Sequence, residues 1–153
     1  MLIFIYSNTK DRFLKKLLFA FLLSFGLLAG TAAAADKQSI FVNVTSSDNI
    51  KAPMALMFAN KGLQQGLKMT VFLNTEGVRL AVKGFNSPTC AMSGNNARDM
   101  LAMFMKKGGR VLVCPMCLSA QGYDKEDLIP GVEMGNADKT FGAILASEKV
   151  ISY

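Results

Sequence analysis

Four short runs rich in β-branched and aromatic residues recur along this chain, with helical stretches between them, and that alternation restricts the fold more than any other feature. Residues 39–44, 69–73, 110–114 and 149–153 read as strands. The first ends in the turn-forming series Thr45-Ser46-Ser47-Asp48-Asn49. Pro53 then sits in the opening turn of a helix, where a missing N–H costs nothing, and Gly66 is its stop. Met54, Met57, Phe58 and Leu63 supply its apolar face. A short helix is expected over 76–82, a loop holding Pro88 and Cys90 over 84–95, and a helix capped by Asn96 that runs to Lys107 before Gly108-Gly109. The run Arg110-Val111-Leu112-Val113-Cys114 is apolar on both faces, as a buried parallel strand should be, and reads as the most central strand. Short and long helices over 116–121 and 137–147 complete the series. The expectation is an α/β fold, a three-layer sandwich on a mainly parallel sheet of about five strands.

Residues 1–35 are a different kind of sequence. Lys10, Arg12, Lys15 and Lys16 precede the apolar run from Leu17 to Ala29, and Ala33-Ala34-Ala35 meets the polar Asp36-Lys37-Gln38. A positive flank, a short apolar core and small residues make a secretory signal, with cleavage expected before Asp36. The competing reading, an uncleaved membrane anchor, needs about 20 apolar residues, and this core has 13. No paired arginines are present, which favours the general export route and a periplasmic product. The expected division is therefore a cleaved signal, 1–35, and one domain, 36–153, tied to a membrane only through export.

The net charge of +6 divides evenly, +3 in the leader and +3 in the 118 residues that follow. Beyond Lys106-Lys107 and Arg110 no basic block remains, so a nucleic-acid partner is not expected. The chain has no histidine. That excludes Ser-His-Asp and Cys-His catalysis and histidine-ligated zinc or haem, and leaves the three cysteines as the natural reactive groups.

Cys114 and Cys117 enclose Pro115-Met116 at the carboxyl end of a strand, where α/β sheets gather their reactive groups. A helix begins just after Cys114, so the sulfur is expected near unpaired N–H groups that favour the thiolate. Cys117 lies about one helical turn on and can form a disulfide with Cys114 or resolve a modified Cys114. Other uses of the pair stay open: a structural disulfide, though closing so small a loop constrains the unfolded chain only modestly, or a buried apolar filler. Cys90, Cys114 and Cys117 could also hold a soft metal, although structural zinc would need a fourth ligand. A thioredoxin-like reading fits poorly: the pair comes late, no tryptophan precedes it, and the following helix is short.

From Val111 through Tyr123 the chain resembles the active-site segment of the DsrE/DsrF-like family, small α/β sulfur-relay proteins. The resemblance extends through Asp127-Leu128-Ile129-Pro130-Gly131-Val132. Upstream it takes in Ala55-Leu56-Met57-Phe58-Ala59 with Gly66, and Val71 to Val78. It implies a DsrEFH-like fold, a persulfide on Cys114, a donor of sulfur that is a protein or a small compound, and a homotrimer or homohexamer. Many members have a small residue where this chain has Cys117, and that departure shifts the expected chemistry toward dithiol–disulfide exchange or sulfur reduction. If the protein is an enzyme, it is a sulfurtransferase or a thiol–disulfide oxidoreductase. Cys90 is a candidate third thiol. No cofactor and no resident metal are expected.

Nine methionines follow the leader, and thioethers beside thiolates could bind Cu(I). The plainer expectation is core filling, with Met100 and Met103 on one helical face. Asp124-Lys125-Glu126-Asp127 reads as a solvated turn opening a helix. The rival to thiol chemistry is a non-catalytic oligomer that uses the same fold to bind soft metal or another protein.

Overall fold

The computed structural model describes residues 38–153. The expected export signal and its cleavage point before Asp36 lie outside the described residues. The elements run β1 Ser39–Val44, α1 Lys51–Gln64, β2 Lys68–Leu73, a 3-10 helix Thr75–Ala81, α2 Ala97–Lys106, β3 Arg110–Val113, α3 Pro115–Ala120, a second 3-10 helix Lys125–Asp127, β4 Glu133–Met134, α4 Ala137–Leu145 and β5 Lys149–Ser152. The five strands form one all-parallel sheet in the order β4-β3-β2-β1-β5.

Strand order and handedness together produce the three layers. Each step from β1 to β4 moves the chain in one direction across the sheet, and right-handed crossovers then keep α1, α2 and α3 on one face. The last connection returns past three strands to the far side of β1, so the same rule sends α4 to the other face. Burial follows this division. Val42, Val44, Val71, Leu73, Val111 and Val113 join Leu56, Leu101, Phe104 and Leu118 in the main core. The alternate residues Phe41, Leu112 and Phe72 meet Ala143 and Ile144 of α4 in a smaller one.

Local signals fix the helix ends close to where the sequence places them. The Asp48 carboxylate accepts from the N–H groups of Ile50 (2.8 Å) and Lys51 (2.6 Å), which starts α1 two residues before Pro53. The Asn96 side chain accepts from Arg98 N–H at 2.9 Å and opens α2. Gly66 and Gly108 end α1 and α2 in the left-handed region, at φ 80° and 88°, where a Cβ would be strained. The acidic run opens a 3-10 turn as a capping box between Asp124 and Asp127.

Two expectations are corrected, and one strand is found that local sequence does not announce. The central strand is β2, and β3 is flanked on its outer side only by the two-residue β4. β4 carries no apolar run to announce it; pairing with Leu112 and Val113 and the Arg110–Glu133 ion pair (3.0 Å) hold it in place. Met100 is buried, but Met103 is 40% exposed. The buried stripe of α2 is Ala97, Met100, Leu101 and Phe104, and Met103 lies on its border.

Phe104 is fully buried, and Gly109 packs so closely on it that an added Cβ would stand 2.4 Å from the ring. Phe104→Ala is expected to destabilise the fold by about 3–5 kcal/mol, read from the urea midpoint at unchanged m-value.

Candidate functional site

The carboxyl end of β3 lies one residue before Cys114, whose N–H still donates to the Leu73 carbonyl of β2 at 2.9 Å. Cys114 is the N-cap of α3 with extended backbone, φ −73° and ψ 115°, and its carbonyl accepts from Leu118 N–H at 3.0 Å. The helix therefore starts from a residue anchored to the sheet. Cys117 stands within that first turn, and both thiols are half-buried.

The expected support from helix amides is absent at Cys114, because its side chain accepts no capping hydrogen bond. Pro115 occupies the first helical position and has no N–H to offer. The sulfur is engaged by its neighbour instead. Burial pushes the Cys117 thiol above its ordinary range, and the S–H it donates to Cys114 adds to the rise. The backbone N–H of Thr75 opposes this by donating to Cys117, and negative charge on Cys114 raises it again. Burial and the neighbouring thiol thus keep Cys117 protonated to higher pH than a free thiol.

Polar side chains continue the site along the carboxyl ends of the other strands. Asn74, after β2, donates to the Asn43 side chain at 2.6 Å, and Asn43 donates to the Ser152 hydroxyl at 3.2 Å. Thr75 donates its hydroxyl to the Thr45 carbonyl. One turn beyond Cys117, Gln121 accepts from Arg79 Nε at 2.8 Å, a second polar link between α3 and the 3-10 helix. Sequence reading passes over Asn43, Asn74, Thr75, Arg79 and Gln121 as site residues. The available signal was the polar pair Asn74-Thr75 directly after an apolar strand, a place where a parallel sheet presents side chains to ligands.

Cys90 is 5% exposed and held by its own loop. Its N–H donates to the Asn95 carbonyl at 2.9 Å, and its carbonyl accepts from Gly94 at 2.8 Å. The Ser93 hydroxyl, with the N–H groups of Ser93 and Met92, lowers the Cys90 thiol below its ordinary range. Among the described residues no three cysteine, aspartate or glutamate side chains converge as a metal-holding group, so the three thiols do not form one ligand set.

The Cys117 thiol is expected to ionise at higher pH in the folded protein than in urea. A raised value means a smaller thiolate fraction at neutral pH, so alkylation of folded Cys117 should keep accelerating at pH values where the unfolded thiol has levelled off. Peptide mass spectrometry after timed iodoacetamide labelling checks this; coincident profiles would refute it.

Residues 38–153 match the family model described as the DsrE/DsrF-like family. An uncharacterized protein of Methanopyrus kandleri is 28% identical over 124 residues, covering 81% of this chain and 99% of its own. An uncharacterized protein of Methanocaldococcus jannaschii is 29% identical over 117 residues, covering 76% and 99%. Among solved structures, the crystal structure of the ychN protein from E. coli superposes with a TM-score of 0.62 at 22% identity, over 76% of this chain and 99% of that one. The MTH1491 protein of Methanobacterium thermoautotrophicum, of unknown function, gives 0.54 at 18% identity, over 76% of this chain and 100% of that one. These two likenesses carry the fold.

Proposed function

The chain belongs to the DsrE/DsrF-like family, and we propose that it is a sulfur-handling thiol protein in which Cys114 takes up sulfane sulfur and Cys117 resolves it. The observation that carries this reading is the placement of two half-buried cysteines together at the carboxyl end of β3, Cys114 as the N-cap of α3 and Cys117 in its first turn.

The chemistry balances as two exchanges. A Cys114 thiolate attacks the outer sulfur of a persulfide donor; the new S–S bond forms at Cys114, and the donor leaves as a thiolate. Cys117 then gives up its proton and attacks Cys114 Sγ. A Cys114–Cys117 disulfide forms, the bond to the outer sulfur breaks, and that sulfur leaves as hydrosulfide. An external dithiol reduces the disulfide, is itself oxidised, and returns the pair to thiols. The sum is reduction of sulfane sulfur to sulfide at the expense of a dithiol. With Cys117 absent, the first exchange alone would make a sulfur carrier.

The leader pattern of residues 10–35 supports export to the periplasm, where the donor is a persulfide-bearing protein or a small sulfane-sulfur compound. The family supports a homo-oligomer.

Incubation with a small-molecule persulfide, followed by intact-mass spectrometry and sulfide assay, tests the reading. The wild-type protein should release sulfide and finish as the disulfide. Cys117→Ser should accumulate one added sulfur on Cys114, and Cys114→Ser should do neither. Equal sulfur uptake by Cys114→Ser, or a Cys114 that stays unmodified, would overturn it.

A further inference from the structure

Because every strand is parallel, the first residues of all five gather at one end of the sheet, opposite the rim that holds Cys114 and Cys117. Charge is divided unevenly between these two ends. Lys68, Arg110 and Lys149 are the first residues of β2, β3 and β5, and Lys61, Lys106 and Lys107 close α1 and α2 at the same end. The acidic residues beside them are Glu133, which opens β4, and Glu148, just before β5. The rest of residues 38–153 carries six basic and seven acidic side chains. The whole cationic excess of the described residues therefore lies at the amino end of the sheet.

Ordinary structural roles account for part of this. Lysine at a helix C-terminus offsets the negative end of the helix dipole, which explains Lys61, Lys106 and Lys107. Arg110 is engaged by Glu133 through two hydrogen bonds, at 3.1 and 3.0 Å. Neither role covers Lys68 and Lys149, and all five lysines are exposed. A cavity of about 340 Å³ lies among the strand starts and helix ends. Leu63, Leu67 and Met69 form its apolar wall, and Lys68, Lys107 and Arg110 its cationic one. Such a lining suits a phosphate carried on a less polar body.

The chain itself indicates what meets this end. Residues 1–37 join the domain here: Gln38 precedes β1, and its carbonyl accepts from the Lys68 N–H at 2.9 Å. Eight residues separate Gln38 from Ala29, the last of the leader's apolar run. Eight residues span at most about 28 Å, so a membrane that receives the leader stands within reach of the basic end.

We propose that the amino end of the sheet is a docking surface for an anionic lipid bilayer, its exposed lysines receiving lipid phosphates at the mouth of the cavity. The inference rests on the export reading and is independent of the sulfur chemistry. Each lysine near a negatively charged bilayer adds to the attraction, and salt screens it. Docked in this way, the domain turns Cys114 and Cys117 away from the lipid, toward partners in solution.

Co-sedimentation with vesicles tests the proposal, using protein purified from cells that express the full chain. Binding to equimolar phosphatidylglycerol and phosphatidylcholine should exceed binding to phosphatidylcholine alone, and the excess should disappear at high sodium chloride. Lys106→Gln combined with Lys107→Gln should weaken the excess by about fivefold per charge. Lys51→Gln combined with Lys83→Gln removes the same charge from the opposite end and should leave it unchanged. Lys51 opens α1 there, and Lys83 stands beside the start of α2, where Arg98 donates to the Val82 carbonyl. Equal losses in the two double variants, or no excess for the anionic vesicles, would overturn the docking surface. Capture of soluble glycerol phosphate without vesicle binding would overturn it too, and would give the cavity to a small anion. Failure of export shows separately, as unprocessed chain in the cytoplasmic fraction.

Discussion

Parallel pairing of β1, β2 and β3 is the constraint on which the rest of the molecule depends. Val42, Val71 and Val113 are buried on one face of the sheet and Phe41 and Leu112 on the other, so the central strands need cover on both faces. Parallel strands can be joined only by crossovers, and those crossovers supply the cover. All carboxyl ends then open on one rim. Cys114, Asn74 and Ser152 belong to three distant parts of the sequence and come to that rim because the strands before them point the same way.

At this rim the candidate cysteine pair draws little support from its own helix. α3 has six residues and a proline at its first position, a poor source of amide support for a thiolate. The support falls to Cys117, through the turn after β2. The same turn is locked against the end of β1 by close backbone approach, with no space for a side chain at Gly77.

What could be read along the chain was whatever is encoded within a few residues. The Asn96 cap, the glycine stop at 108, the acidic turn at Asp124–Asp127 and the apolar run of β1 all act locally, and the structure keeps them. β4 was illegible because Glu133 and Met134 are a strand only by virtue of β3 beside them. The border position of Met103 and the outer placement of β3 depend on how helices and strands pack, which periodicity does not specify. The cysteine pair was legible from its spacing, whereas its polar surroundings were not: Thr75 and Asn74 lie 42 and 43 residues earlier in the chain, as counted from Cys117.

By itself, then, the sequence determined the α/β class, most helix and strand positions, the absence of histidine and the pair Cys114 and Cys117 as candidate reactive groups. These follow from local propensity, hydrophobic period and residue inventory, which need no knowledge of neighbours in space. Tertiary structure alone decided the strand order, the placement of α4 on the second face, and the bond from Arg79 to Gln121 at the end of α3. It also decided the upward shift of the Cys117 thiol, because burial arises only when distant segments meet.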